Sequence, residues 1–145
     1  MYARGCIIGI TRGTKREHII RAAQESIAYQ SYDLVKAMEK DIGIPLDSLK
    51  VDGGASANDF LMQSQADISN APVNRPKCVE TTAMGAAYLA GLAVGYWKNK
   101  EEVLRNWASD QIFTPQIPEE ERVKKIRGWN KAVRYSYHWA KDEEL

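Results

Sequence analysis

The chain has 145 residues, 44% of them hydrophobic and 27% charged, with 20 Lys and Arg against 19 Asp and Glu. That length suits one domain with a core of its own, and the composition is ordinary for a soluble globular protein. A formal net charge of +1 gives no electrostatic reason to expect nucleic acid or an anionic membrane as partner. No apolar run reaches the length of a membrane span, and Met1 leads straight into Tyr2-Ala3-Arg4, so neither a leader nor an anchor is expected. Cys6 and Cys78 are the two cysteines, far apart and without a CxxC or a His companion. They read as reduced thiols in a cytoplasmic protein, not as a disulfide framework or metal site.

In chain order, Cys6-Ile7-Ile8-Gly9-Ile10 is a short β-branched run and predicts a strand. Thr14-Lys15-Arg16-Glu17 then spells a helix start, and the helix is expected to run to about Asp41. Ile20, Ala23, Ile27, Leu34, Val35 and Met38 recur at roughly helical spacing and predict its buried stripe. Gly43 and Pro45 end it.

Leu49 and Val51 supply the β-prone positions of a second strand, and Asp52-Gly53-Gly54 turns it into a helix. Two glycines allow backbone angles and a close ligand approach that a Cβ would forbid. Ser56 is the expected N-cap, with Asp59 three residues on and Phe60, Leu61 and Met62 seating the helix, which fades near Asn70. A helix N-terminus beside such a turn presents free N–H groups and partial positive charge, which suits an anion. By itself a Gly-Gly turn of this kind is more often a plain strand-to-helix connection. It has neither the Gly-Lys-Ser/Thr of a Walker loop nor GxGxxG spacing.

Ala71-Pro72-Val73-Asn74-Arg75-Pro76 is interrupted by proline and predicts a short edge strand or extended loop. Thr81 or Thr82 starts a helix of small residues (Ala83, Gly85, Ala86, Ala87, Ala90, Gly91, Ala93) expected to be central and nearly all buried. The remainder reads as polar and helical, with a short helix over 100–107 and a longer one opened by Pro118 and Glu119, Glu120 and Glu121. Val123, Ile126, Trp129, Val133 and Tyr137 give that last helix an apolar face. The order predicts an α/β fold, a small and mostly parallel sheet packed with helices and followed by a helical extension from about residue 100.

Residues 51–65, together with Thr81-Thr82-Ala83-Met84-Gly85-Ala86-Ala87-Tyr88-Leu89-Ala90-Gly91, resemble the C-terminal part of the FGGY carbohydrate kinases. The N-terminal stretch resembles that family's second signature through Gly5, Ile7, Gly9, Ile10, His18, Ile19, Ala22, Ala23 and Glu25, with Gln24 where an apolar residue is the rule. Tyr2-Ala3-Arg4-Gly5, Thr11-Arg12-Gly13 and Phe60-Leu61-Met62-Gln63, occurring together, are similar to the glycerol-kinase branch. The resemblance reaches Gly128-Trp129-Asn130-Lys131-Ala132-Val133. It implies a partial actin-like, RNase H-like ATPase domain, with residues 1–145 as the C-terminal part of the nucleotide-binding domain. The implied chemistry is transfer of the γ-phosphoryl group of ATP, with Mg²⁺, to glycerol.

In that family the glycine turn and the asparagine four residues beyond its second glycine lie against the nucleotide, which places the expected ATP/ADP contacts on Gly53, Gly54 and Asn58. The resemblance puts the general base and polyol site in a preceding part, so no catalytic residue or metal ligand is assigned here. The chain alone is expected to be inactive, and glycerol is a partner only together with that part. Asp52 is expected to be structural, Thr81 and Thr82 to cap, His18 to be solvated, and His138, Tyr135, Tyr137 and Trp139 to pack against a neighbouring domain. Trp97 and Trp107 are expected at the core's edge. In some members the segment matching 115–123 docks a regulatory protein, but Pro118-Glu119-Glu120-Glu121 departs from that form and no such partner is expected. The alternatives are a kinase of the same family acting on a pentulose, or a non-catalytic module that self-associates through an exposed sheet edge. A homo-oligomer is expected either way.

Overall fold

A computed structural model describes residues 2–105 and 109–140. The elements are α1 (Arg16–Ile42), β1 (Leu49–Lys50), a 3-10 turn (Gly54–Ala57), α2 (Asp59–Ser69), β2 (Val73–Pro76), α3 (Thr81–Ala93), α4 (Lys100–Leu104), β3 (Ser109–Phe113) and α5 (Glu119–Ser136). Among the described residues the sheet has three strands in the order β1-β2-β3, with β1 parallel and β3 antiparallel to β2. The architecture is α/β, and the sheet is mixed because of β3.

The core lies where α2 covers this sheet and α1 packs on α2. Ala28, Leu61, Met62, Ala66, Val73 and Phe113 form one buried cluster, with Leu49 and Val51 against it. Leu61, Met62 and Ala66 come from one face of α2, whereas Val73 and Phe113 are cross-strand partners on β2 and β3. Helical spacing and antiparallel pairing thus bring residues far apart in sequence into one apolar contact.

Several expectations from the sequence change. β2 is the central strand, not an edge. Pro72 precedes it and offers its carbonyl to the Leu49 N–H at 2.8 Å, and Pro76 sits at its end, where the register with β3 shifts. The prolines therefore flank the strand without removing an interior ladder donor. The segment after residue 100 is not helical throughout: α4 ends at Leu104, β3 follows, and Trp107 lies outside the described residues.

Residues 6–10 form no strand, and Ile7, Ile8 and Ile10 are exposed. A strand is defined by its partner, and no described backbone runs alongside this segment. The stripe expected on α1 is likewise uncovered: Ala28 is its one fully buried residue, while Ile20, Ile27, Leu34 and Met38 are exposed. α3 is the largest departure, since none of its residues is buried and Leu89 is 71% exposed. Its apolar character fits a buried helix, yet among the described elements none covers it. It is shielded in part, at Thr81, Met84 and Gly85 and at its C-terminal end, where the Trp97 ring closes over Gly91 and meets Tyr88 edge-on. α5 does pack as its pattern predicts at one point: Trp129 stacks on Tyr29 of α1 at 5.3 Å and donates to Asp33 at 2.7 Å.

Candidate nucleotide-binding turn

The turn between β1 and α2 is built from local chemistry. Gly53 has φ +80°, ψ 168°, a conformation that an L side chain resists. Its N–H donates to Val79 O at 2.7 Å, which ties the turn to the segment leading into α3. Its carbonyl accepts from both the backbone N–H and the hydroxyl of Ser56, at 3.0 and 2.7 Å. Ser56 is thereby folded inward and is 1% exposed, while Gly54, Ala55 and Ala57 face outward. A Cβ at Gly53 or Gly54 would meet no protein atom within 4 Å, so open space lies over both glycines.

Ser56, expected as the N-cap of α2, is instead the buried pivot of the 3-10 turn. The cap is Asn58, whose Oδ1 accepts from the Leu61 N–H at 3.1 Å. Its position is set by extended backbone angles, φ −87° and ψ 104°, typical of a cap. That bond fixes the amide's orientation, because the oxygen must face the backbone donor. The Nδ2 group then keeps two donors with no partner among the described residues. Gly53, Gly54 and Asn58 therefore lie on one accessible turn at the N-terminus of an eleven-residue helix.

Asp52 and Thr81 meet: the Thr81 hydroxyl, from the first residue of α3, donates to Asp52 Oδ2. Thr81 thus links the two segments instead of capping, and the cap position of α3 falls on Glu80. A cleft of about 280 Å³ opens here, lined by Lys50, Val51, Asp52, Pro76 and Thr81. His18 is part of the start of α1, where its Nδ1 accepts from the Lys15 N–H at 3.1 Å. That helix begins one residue later than its spelling predicts, with Lys15 at the cap and Thr14 accepting from the Thr11 N–H. His138 meets Tyr137 edge-on at the chain's far end.

Arg75, which the sequence did not single out, lies beneath the turn. Its Nη1 donates to Ser56 O at 3.0 Å and to Asp59 Oδ1 at 2.7 Å. Its Nε reaches Asp110 Oδ2 at 2.9 Å and Nη2 reaches Gln111 Oε1 at 3.2 Å, while the guanidinium rests on the Phe113 ring. The bond with Asp59 does most to raise its pKa, with Asp110 adding and desolvation opposing. A second cavity, about 110 Å³, lies where α1, α2 and α5 meet and includes Ile117 and Glu121. Its cations Arg21 and Lys125 both face Glu25, and no residue of the glycine turn lines it.

Residues 2–94 match the model of the C-terminal domain of the FGGY family of carbohydrate kinases. The chain belongs to that family. It is 63% identical over 142 residues to a glycerol kinase of Agathobacter rectalis and 62% identical to one of Caldanaerobacter subterraneus, with 98% of this chain covered in each case. The chain spans 28% and 29% of the length of those relatives. Among solved structures it is similar to Plasmodium falciparum glycerol kinase with ADP, at a TM-score of 0.80 and 39% identity, covering 93% of this chain and 27% of that one. A xylulose kinase of Lactobacillus acidophilus shares the fold at a TM-score of 0.70.

Proposed function

We propose that residues 1–145 are the C-terminal part of the nucleotide-binding domain of a glycerol kinase, in which ATP phosphorylates glycerol to glycerol 3-phosphate. The observation that carries this reading is the open glycine turn at the head of α2, with an amide donor two residues past a buried pivot. Gly53 and Gly54 let a nucleotide approach the backbone closely. Asn58, its oxygen held by α2, directs N–H donors to an acceptor of the nucleotide without adding charge. Similarity to an ADP-bound glycerol kinase supports the nucleotide's identity.

Mg²⁺ belongs to this chemistry as a partner of the phosphates. The chain's own donors do not fit a cation site: among the described residues no three His, Cys, Asp or Glu side chains converge, and Asp52 is engaged by Thr81. The chain supplies one wall of the ATP site and, in this reading, no catalytic base. It acts in the cytoplasm, consistent with exposed free thiols at Cys6 and Cys78, and it self-associates through its exposed apolar faces. Among the described residues no helix is long and apolar enough to cross a membrane.

Calorimetric titration with ADP tests the reading. Asn58→Ala is expected to weaken binding by about 1–3 kcal/mol, the range for a buried hydrogen-bonding group left unmatched. An unchanged affinity removes Asn58 from the site. In a coupled assay with ATP and glycerol, the 145 residues alone are expected to show no turnover, and turnover abolished by Asn58→Ala refutes that expectation.

A further inference from the structure

We propose that Arg75 is a positioning residue for the nucleotide: it sets the shape of the glycine turn from below without touching the ligand. This rests on the nucleotide reading above and adds a residue to it. The turn has an outer face of Gly54, Ala55 and Ala57 and an inner face of one buried residue, Ser56. Ser56 N–H and Oγ are both spent on Gly53 O, so the turn is tied to itself on its N-terminal side. On its C-terminal side the Ser56 carbonyl is held by Arg75 Nη1, and the same nitrogen holds Asp59, the residue after Asn58. Asn58 therefore sits between two groups fixed by a single guanidinium.

The other end of the fork is anchored independently, on Asp110 and Gln111 of β3. Arg75 itself is 9% exposed and its ring contact with Phe113 reaches into the core. A planar five-donor fork can span these partners at once, whereas an ammonium is a point charge that satisfies one side at a time. The position of the Asn58 amide is thus referred to the sheet through Arg75, and the C-terminal strand β3 takes part in shaping the nucleotide site.

The test measures ADP affinity by calorimetry and amide hydrogen exchange in the wild-type chain, in Arg75→Lys and Arg75→Met, and in Arg122→Met as a control. Arg122 also carries an ion pair, with Glu119 at the start of α5, but has no link to the turn. Arg75→Lys keeps the charge beside Asp59 and Asp110 and is expected to retain core protection at Leu61, Met62 and Ala66. Both Arg75 variants are expected to bind ADP about 10-fold more weakly, with faster exchange confined to residues 54–58. Arg122→Met is expected to bind as the wild type does. Wild-type affinity in both Arg75 variants overturns this inference alone. Weakening that is fully rescued by Arg75→Lys, or that tracks loss of protection throughout the core, also overturns it, since charge or global stability then suffices. A wild-type chain that binds no ADP overturns the nucleotide reading and this inference with it.

Discussion

Gly53 and Gly54 are neighbours with different physical obligations. Gly53 holds φ +80° while Gly54 carries no such angle, and neither has a protein atom within 4 Å of where a Cβ would sit. Gly53→Ala therefore meets no neighbouring side chain but suffers backbone strain, about 1–3 kcal/mol of stability, readable by urea unfolding. Gly54→Ala is expected to leave stability within about 0.5 kcal/mol but to weaken ADP binding, because in the proposed site its methyl group would occupy space the nucleotide needs. The turn that carries the three proposed site residues was legible because its signal is local: two glycines, then an asparagine four positions on. Arg75 was not, since its partners Ser56, Asp59, Asp110 and Gln111 lie 16 to 36 residues away in sequence. Only the strand order brings them together. Tyr29 gives a separate check on packing. Burial of its phenol beneath Trp129, with Glu25 adding and Arg21 opposing, raises its pKa from 10.0 to about 12. The neutral form is favoured in the fold, so its contribution is complete below pH 10 and is lost as pH rises from 10 towards 12. Phenolate absorbance on alkaline titration is expected to show Tyr29 ionising late, and Trp129→Ala to bring that group back towards 10.

At the scale of elements, helices were easier to read than strands. α1, α2, α3 and α5 each carry a start signal, and the structure begins all four within about two residues of it. β1 has two residues and β2 four, too few to establish a period. The role of β2 depends on β3, whose Ser109-Asp110-Gln111-Ile112-Phe113 is polar in three of five positions and exposed in four. Its one buried residue, Phe113, pairs with Val73. Edge strands of this kind carry a weak sequence signal because solvent takes one side. Centrality makes Val73 the sensitive point of the sheet: it is fully buried among residues from α1, α2 and β3. Val73→Ala is expected to cost about 2 kcal/mol in urea unfolding, from lost apolar burial plus the cavity left behind. The equivalent truncation at Ile112, which is 55% exposed, is expected to stay within about 0.5 kcal/mol. Equal losses at both positions would contradict the central placement of β2.

For the whole molecule, surface area is the informative quantity. The chain exposes 10950 Å², whereas a compact monomer of 16.3 kDa exposes roughly 7,500 Å² by the scaling of surface with mass. The excess, on the order of 3,000 Å² for one chain, is larger than the roughly 800 Å² that each partner buries in an interface of standard size. Large apolar side chains contribute to it: Ile7, Ile8 and Ile10 precede α1, Leu34 and Met38 lie on α1, and Leu89 stands on α3. Leu34 and Met38 belong to the stripe whose pattern predicted burial and Leu89 to a helix expected to be buried, so the sequence encodes apolar surface that the described elements leave uncovered. Apolar side chains exposed in such number favour association in water. Light scattering is expected to show the chain associating as concentration rises. Leu89→Lys and Leu34→Lys lie outside the core cluster and are expected to shift the species towards monomer without lowering the unfolding midpoint. Association that persists unchanged in both variants would place the sticky surface elsewhere, and a strictly monomeric wild type would show that the exposed apolar faces close on themselves in solution.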